Sequence, residues 1–269
     1  MNKILLVGCG HMGSALLKAW TLKTNYSFVV IDPNQYKRIN NHFDSQVKAF
    51  KSLEYLDDFT LFDIIIFAIK PQISEQVLKN FSKNKYKKKN IFVSIIAGKK
   101  ISFFNKYLPL PNQFIRVMPN MPAMINQGMS CLIANKNVSK INKNKIEFLF
   151  TKVGKTLWLK NELEMNKVTA ISGSGPGYIF LLIDAFEKAA LQLGLGKNVT
   201  KKLVHQTFFG TINLLYNEKD SARILANKIA IKGGTTEAGI NQFKNKKILH
   251  NTFKKVVKAA YLRANKLGK

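Results

Sequence analysis

Residues 3–13 read KILLVGCGHMG, and this stretch decides the fold of the N-terminal half. A short apolar run ends in glycines spaced G-x-G-x-x-G, and a helical pattern starts inside the glycine segment. Gly8 allows a tight turn, Gly10 lets a pyrophosphate approach the backbone, and Gly13 lets the helix pack on the strand. The first amides of the helix then offer N–H groups to phosphate oxygens. The stretch predicts a dinucleotide-binding turn, with a glycine turn that holds no ligand as the alternative.

Outward from this turn, strand and helix patterns alternate along the chain. Helical spacing follows at residues 12–23 and again from Gln35. The run 63–69, DIIIFAI, has the apolar character of a strand that is buried on both faces. Further strands are predicted at residues 3–7, 28–31, 91–96 and 114–117. Such alternation predicts an α/β protein with a parallel, doubly wound sheet, which is the Rossmann architecture.

The pattern changes near Asn161, after which strand signals almost disappear. Long helical patterns cover residues 175–193, 199–216, 222–231, 235–243 and 247–265. We therefore predict a Rossmann domain at residues 1–160 and an all-helical domain at residues 161–269. The segment 178–183, YIFLLI, is apolar all round and needs cover on every side. A second copy of the chain supplies that cover most readily, so we expect a homodimer joined through the helical domain.

The net charge of the chain raises the question of a nucleic-acid partner. Lys and Arg number 43 against 15 Asp and Glu, which gives a formal net charge of +28. Only four of the basic residues are arginines, whereas nucleic-acid sites usually use arginine for bidentate contacts. The lysines are scattered, and their densest run, residues 83–89, falls in an expected loop between a helix and a strand. Codon bias towards lysine therefore explains the charge better than a nucleic-acid partner does.

Composition also favours a cytoplasmic protein that does not enter a membrane. No apolar stretch approaches the roughly 18–20 residues that span a bilayer, and the N-terminal apolar run is too short for a secretory signal. Cys9 and Cys131 suit a reducing compartment. The histidines and cysteines show no metal-ligand spacing, so we expect no metal, and we find no paired carboxylates or catalytic triad. A bound cofactor is then expected to supply most of the chemistry.

Residues after the second strand bear on the choice of cofactor. Asp32 lies 24 residues after Gly8, where an acidic side chain usually binds the adenosine ribose 2′-hydroxyl of NADH. Asn34, Lys37 and Arg38 follow and could instead meet the 2′-phosphate of NADPH. In a third interpretation, Asp32 only caps the next helix. The choice between NADH and NADPH stays open on these residues.

Two segments at strand ends are candidate parts of the cofactor cleft. Residues 68–71, AIKP, end the most apolar strand, and ligands of doubly wound sheets bind at such carboxyl ends. Residues 118–123, MPNMPA, follow another strand, and the Asn120 amide can bond a ligand. A surface lysine at position 70 and a structural turn at Asn120 are the alternatives. The residues predicted to bind the cofactor are Gly8, Gly10, His11, Met12, Gly13, Asp32, Asn34, Ala68, Lys70, Pro71 and Asn120.

Two glycine-rich helix starts follow in the second half. Residues 172–178, SGSGPGY, open the apolar helix, with serines that can cap it and a proline suited to its first turn. Residues 233–236, GGTT, open another helix with free backbone amides and two hydroxyls. This second start forms an anion site suited to a carboxylate. Ordinary helix caps are the alternative at both places.

Taken in order, these motifs resemble those of the pyrroline-5-carboxylate reductase family over nearly the whole chain. The matching segments are GCGHMG at 8–13, AIKP at 68–71, VSIIAG at 93–98, RVMPNMPA at 116–123, VGKTLWL at 153–159, SGSGPGYIF at 172–180 and GGTTEAG at 233–239. The resemblance implies a Rossmann domain followed by a helical dimerisation domain, whose dimers can assemble into larger rings. It implies reduction of 1-pyrroline-5-carboxylate to L-proline, the last step of proline biosynthesis, with NADPH favoured over NADH.

The resemblance also implies roles for individual residues. The backbone amides of Gly233, Gly234 and Thr235 are expected to hold the substrate carboxylate. The hydroxyl of Thr236 is expected near the ring nitrogen, where it helps to deliver a proton as the catalytic residue. Ser174 is expected near the domain junction, among the substrate-binding residues.

Departures from the family pattern leave alternatives open. Ile231 and Lys232 stand where the family usually has Ser-Pro, so a serine donor to the substrate carboxylate is absent and Lys232 can replace it as a cation. Met121 stands for a threonine and Gly177 for an alanine. These changes leave room for a related cyclic imine or a 3-hydroxyacid as substrate. A catalytically silent Rossmann protein that binds an anionic partner is the alternative from a different class.

Overall fold

The computed structural model describes residues 3–56, 58–87 and 89–267, and for Lys246 it describes the backbone alone. Position 88, within the expected lysine loop, lies outside the described residues. The chain divides into two compact units. The first contains the residues up to Ser174 and those from Ala260 onward, and the second contains Gly175–Ala259.

The first unit is built on one eight-stranded sheet. Its strands are β1 (Lys3–Val7), β2 (Ser27–Ile31), β3 (Val47–Phe50), β4 (Ile64–Phe67), β5 (Ile91–Ser94), β6 (Gln113–Met118), β7 (Gly128–Ala134) and β8 (Gly154–Trp158). They lie in the order β3-β2-β1-β4-β5-β6-β7-β8, and every neighbouring pair is parallel except β6 and β7. The predicted Rossmann sheet is confirmed. Its strand order reverses between β1 and β4, where ligands of this architecture bind.

Helices cover both faces of this sheet. They are α1 (His11–Lys23), α2 (Tyr36–His42), α3 (Ser74–Phe81), α4 (Ile101–Phe104), α5 (Lys140–Thr151) and α6 (Glu164–Val168). Side chains of β1 alternate between two apolar cores. Ile4 and Leu6 belong to the core that includes α1 and α5, and Leu5 and Val7 belong to the core that includes α3 and α4. Because both faces of β1 are buried, the strand has an unbroken apolar run.

Trp20 holds α1 against the sheet. Its indole Nε1 donates to the carbonyl oxygen of Leu149 at 2.8 Å. Its ring stacks on Phe28 of β2 with centroids 6.2 Å apart, and it meets Phe150 of α5 edge-on at 5.7 Å. Trp20 is fully buried. A buried indole with both apolar and polar partners fixes the helix that begins at the glycine turn.

The apolar pattern predicts five strands that are present, and it misses β3, β7 and β8. β3 and β8 are the two edge strands, and each carries an exposed lysine, Lys48 and Lys155 respectively. Neither therefore has the continuous apolar run of a central strand. In β7 the polar Ser130 is buried among apolar residues. β4 also ends at Phe67, which leaves the AIKP segment outside the strand.

An ion pair between the buried Arg116 and the half-buried Glu162 ties the later strands to the segment before α6. Arg116 Nη1 on β6 lies 2.6 Å from Glu162 Oε1, and the same oxygen accepts the amide of Ile101 at 2.8 Å. Burial lowers the pKa of Arg116, and the nearby carboxylate opposes that effect. The end of the chain also packs on this unit, because Asn166 Nδ2 donates to Asn265 Oδ1 at 2.8 Å. These contacts keep residues beyond 160 with the sheet.

The second unit consists of helices and the turns between them. The helices are α7 (Gly175–Gln192), α8 (Lys197–Asn217), α9 (Ala222–Ile229), α10 (Thr235–Lys244) and α11 (Ile248–Leu267), the last of which continues into the first unit. They lie within a few residues of the five predicted helical segments, so the all-helical second half is confirmed.

The segment 172–178 departs from its prediction. It does not open a new helix, because a π-helical turn at Thr169–Gly173 joins α6 to α7 in one helical stretch. The amide of Ser174 donates to the carbonyl oxygen of Thr169 at 2.9 Å, which closes that turn. Such turns are frequent at functional sites.

Apolar side chains of the second unit lie largely exposed. Leu181 of α7 is 69% exposed and Phe209 of α8 is 61% exposed. By length and composition alone, the helical stretch Glu164–Gln192 could cross a bilayer, so the prediction that no stretch has these properties is wrong. One such helix is weak evidence for a membrane protein. The uncovered faces of α7 and α8 suit the predicted homodimer, because each copy would cover the other.

The native protein should therefore contain at least two chains. Light scattering in detergent-free buffer should give about twice the 30.5 kDa chain mass, or a larger even multiple. Leu181→Glu places a charge on the exposed apolar face and should shift the mass towards that of one chain. The matched control is Leu22→Glu, at a leucine that is 75% exposed in the first unit, and it should keep the native mass. A monomeric native protein would contradict this interpretation.

Candidate functional site

A cavity of about 1280 Å³ lies at the carboxyl ends of β1, β2 and β4, where the strand order reverses. Its volume and position are those expected of a dinucleotide cleft. Most of the residues predicted to bind the cofactor contribute to its lining. These are Gly8, Gly10, His11, Asp32, Asn34, Ala68 and Lys70.

The three glycines of the turn have different surroundings. Gly8 has a φ of +93°, and a Cβ on it would lie 2.6 Å from the carbonyl oxygen of Ala68. A Cβ on Gly13 would lie 2.6 Å from the carbonyl oxygen of Gly8. A Cβ on Gly10 would meet no atom within 4 Å. Gly8 and Gly13 are therefore required by the turn itself, whereas the space beside Gly10 is open to a ligand.

The start of α1 presents backbone amides to this space. Gly10 is the N-cap residue, no side chain caps the helix, and the first turn contains no acidic residue. The first bond of the helix runs from the amide of Ser14 to the carbonyl oxygen of Gly10 at 2.8 Å. The amides of His11, Met12 and Gly13 precede that bond and suit phosphate oxygens.

The carboxylate of Asp32 accepts hydrogen bonds from backbone amides of the protein. Oδ2 accepts the amide of Cys9 at 2.7 Å, and Oδ1 accepts the amides of Asn34 and Gln35 at 2.9 and 3.0 Å. Asp32 does not cap α2, because the N-cap residue of α2 is Gln35 and no side chain caps the helix. The Asp32 side chain instead holds the turn that leads into α2. Three backbone donors use three of the roughly four acceptor sites of this carboxylate, which leaves about one for a ligand.

Cys9 adds no charge to the cleft. Burial raises the pKa of its thiol, so the sulfur stays protonated at neutral pH. Its Sγ lies 3.4 Å from Ser14 Oγ, and that hydroxyl also donates to the carbonyl oxygen of Cys9 at 2.8 Å.

The cavity is cationic. Arg38 Nη2 lies 3.4 Å from Ser14 Oγ at the edge of the cleft. Glu54 and the internally bonded Asp32 are the acidic residues among the described lining. The basic side chains of the lining are Lys18, Arg38, Lys51, Lys70 and Lys83. Sequence reasoning named Arg38 and Lys70 but missed the other three, because nothing in a lysine-rich chain distinguishes them before the fold is known.

Asn120 makes internal bonds. Its Oδ1 accepts the amide of Met129 at 2.8 Å, and its Nδ2 donates to the carbonyl oxygen of Ser172 at 3.0 Å. The side chain is buried and does not line the cavity. Its carboxamide therefore holds the MPN segment to β7 and to the π-helical turn, which matches the structural alternative.

Pro71 and Ser174 lie near predicted functional segments without lining the cavity. Pro71 starts a short 3-10 turn directly after Lys70. Ser174 is half-buried at the end of the π-helical turn. Within that turn, a Cβ on Gly173 would lie 3.0 Å from Met118 Cε, so the serine-rich segment and the MPN segment are packed together.

The GGTT segment lies in the second unit at the start of α10. Gly233 has a φ of +77°, and the amide of Gly234 donates to the carbonyl oxygen of Ile231 at 2.9 Å. Gly234 is the N-cap residue, and no side chain caps it. The amides of Thr235 and Thr236 precede the first helical bond, which runs from Ala238 to Gly234. Thr236 is half-buried and Thr235 is exposed.

Among residues 3–56, 58–87 and 89–267, no cluster of three or more His, Cys, Asp or Glu side chains could hold a metal ion. His205 Nε2 lies 2.7 Å from Glu187 Oε1 in the second unit, as an isolated pair.

Two family models match the chain. The model described as pyrroline-5-carboxylate reductase dimerisation matches residues 162–267. The model described as NADP oxidoreductase coenzyme F420-dependent matches residues 3–98, which include the glycine turn and the first five strands.

Curated relatives are similar along most of the chain. The chain is 31% identical to the pyrroline-5-carboxylate reductase of Haemophilus influenzae over 244 residues, which cover 89% of this chain and 88% of that protein. It is 30% identical to the pyrroline-5-carboxylate reductase of Pasteurella multocida, with 100% of this chain and 98% of that protein covered.

Solved structures show the same arrangement. Plasmodium falciparum pyrroline carboxylate reductase with NADP bound has a TM-score of 0.87 at 27% identity, and the match covers 100% of this chain and 98% of that one. The pyrroline-5-carboxylate reductase of Coxiella burnetii has a TM-score of 0.88 at 28% identity, with 99% and 98% covered.

Gly10→Val tests the glycine turn. The new side chain meets no protein atom but fills the space beside the amides, so dinucleotide affinity should fall about 100-fold or more, the equivalent of roughly 2.8 kcal/mol. Thermal unfolding should be close to that of the native chain. Fluorescence titration and calorimetry measure the two effects.

Gly13→Ala is the matched comparison. Its Cβ meets the Gly8 carbonyl oxygen, so this variant should lose stability as well as affinity. If Gly10→Val bound the dinucleotide with native affinity, the glycine turn would not be part of the cofactor site.

Proposed function

The chain belongs to the pyrroline-5-carboxylate reductase family, and we propose that it reduces 1-pyrroline-5-carboxylate to L-proline by transfer of a hydride from NADPH to the imine carbon. The observation that carries the proposal is similarity to such reductases over about nine-tenths of the chain, together with a cationic cleft at the Rossmann switch point. The same observation supports this substrate over the related cyclic imine, the 3-hydroxyacid and the non-catalytic role.

The residues of the first unit fit the cofactor. The open side of Gly10 leaves room for a pyrophosphate, and the amides at the start of α1 supply donors to it. Lys18, Arg38 and Lys51 add positive charge to the same cleft. Because Asp32 is bonded internally, the cleft offers cations where the adenosine ribose is expected. This supports binding of the 2′-phosphate, and hence NADPH over NADH.

An imine needs less acid–base assistance than a ketone does. A neutral imine takes up one hydride at carbon and one proton at nitrogen, and because its nitrogen is basic, a weak donor is enough and the protein mainly has to orient the substrate. That requirement fits a site made of backbone donors and hydroxyls.

The GGTT segment supplies the substrate donors in this proposal. The amides at the start of α10 hold the carboxylate of the substrate. The hydroxyl of Thr236 holds a proton at the ring nitrogen, and the half-buried side chain limits its movement. Ser174 remains a proposed contributor on the substrate side.

We also propose that the working form is a cytoplasmic homodimer joined through the helical unit, and that dimers can assemble into a ring. The matched dimerisation model and the exposed apolar faces of α7 and α8 support this assembly. The imine is a small molecule, and no nucleic-acid partner is needed.

Arg38→Ala tests the choice of cofactor. Loss of one charge-assisted contact to a phosphate should raise the KM for NADPH about 10-fold or more and change the KM for NADH by less than about 2-fold. Lys37→Ala is the matched control, because Lys37 is adjacent and exposed but does not line the cavity. Initial rates with 1-pyrroline-5-carboxylate give both constants. Equal effects on the two cofactors would contradict the phosphate assignment.

Thr236→Ala tests the proton donor. Without the hydroxyl, kcat should fall about 100-fold, at the lower end of the usual contribution from a general acid. The dissociation constant for NADPH should not change. Thr236→Ser restores a hydroxyl and should recover most of the rate. An unchanged kcat in Thr236→Ala would remove this residue from the mechanism.

A further inference from the structure

In the second unit, the side-chain carboxylate of Glu237 accepts a hydrogen bond from one of the backbone amides that are expected to bind the substrate carboxylate. The amide of Gly233 donates to Glu237 Oε2 at 2.8 Å. Glu237 lies in the first turn of α10, four residues after Gly233. Its position resembles the acidic member of a capping box, but it reaches one residue further back, to the residue before the N-cap.

The bonding of the other GGTT amides determines how many donors remain for a substrate carboxylate. The amide of Gly234 donates to Ile231 within the turn that precedes α10. Of the three amides assigned to the substrate carboxylate, the Gly233 donor holds Glu237 and the Gly234 donor is used locally. The Thr235 amide stands at the helix start. A substrate carboxylate can gain the Gly233 donor only if Glu237 leaves it.

We infer that Glu237 is an internal competitor of the substrate, whose carboxylate holds the place of the substrate carboxylate until the substrate binds. The inference rests on the proposed function. Binding is then an exchange, in which the Gly233 amide releases one carboxylate and accepts another. The charge and the number of hydrogen bonds at this donor stay nearly constant.

The exchange requires a carboxylate on the incoming substrate. A cyclic imine with a ring carboxylate can take the place of Glu237, because its carboxylate accepts the same N–H of Gly233. An imine without a carboxylate leaves Glu237 on the Gly233 amide and gains no hydrogen bond at this donor. Gly233 is exposed and Glu237 is half-buried, so the released side chain can move into water.

Steady-state kinetics with 1-pyrroline-5-carboxylate at saturating NADPH test the inference. Glu237→Ala removes the competing carboxylate, so the KM for the imine should fall about 5- to 10-fold, as expected for one charge-assisted hydrogen bond that need not be broken. Glu237→Gln keeps an acceptor oxygen but loses the charge, so its KM should fall by a smaller factor, about 2- to 3-fold. The KM for NADPH should be unchanged in both variants.

Glu218→Ala is the matched control for loss of one negative charge. Glu218 is an exposed residue of the same unit, at the end of α8, and its removal should leave both KM values unchanged. A comparable fall in the imine KM of Glu218→Ala would attribute the effect to net charge and overturn the inference.

A role limited to helix capping gives a different result. In that case Glu237→Ala would lower the unfolding temperature and leave the imine KM unchanged or raised, which overturns the inference. If Glu237→Ala does not fold, Glu237→Gln decides, because its oxygen can still cap Gly233 and an unchanged KM would refute the exchange. An inactive native protein would refute the proposed function itself, whereas an active native protein with unaffected variants would refute this inference alone.

Discussion

The carboxylate of Asp32 holds the glycine turn after β1 in shape, and the proposed cofactor site depends on it. One oxygen accepts the amide of Cys9 at the end of β1, and the other accepts two amides in the turn after β2. Charge-assisted bonds of this kind are stronger than neutral ones, and three of them compensate the buried charge. They join two strand ends directly beneath the open face of Gly10. Because the charge of Asp32 is bonded to backbone amides, the basic side chains of the lining determine the charge of the cleft, which is cationic.

The two units meet different physical demands. The first buries both faces of its sheet and fixes α1 through Trp20, so the amides that face the cofactor are held by a rigid core. The second keeps apolar helix faces exposed, and another copy of the chain is proposed to cover them. Its donors at GGTT are backbone amides and hydroxyls, which suits reduction of an imine that needs orientation more than acid strength.

Sequence patterns predict those parts of the structure that depend on single residues or on the periodicity of a short segment. The glycine turn follows from the spacing of Gly8, Gly10 and Gly13, since backbone φ and the absence of a Cβ are properties of single residues. The central strands and the five long helices follow from apolar periodicity. The edge strands lack that signal because each exposes side chains to water, Lys48 in β3 and Lys155 and Leu157 in β8. The side-chain carboxamide of Asn120 is bonded to residues 9 and 52 positions away along the chain, so its internal role has no local sequence signal. Lys51 directly follows β3, a strand that the pattern missed, so its place in the cleft has no local signal either.

Direct hydride transfer is tested by reducing 1-pyrroline-5-carboxylate with NADPH that carries deuterium at both C4 positions of the nicotinamide. Mass spectrometry of the product should show L-proline heavier by one deuterium on the former imine carbon, since the hydride moves from cofactor to substrate without exchange with water. No proline, or proline that contains no deuterium, would contradict the assignment of this chain as a reductase that acts by hydride transfer.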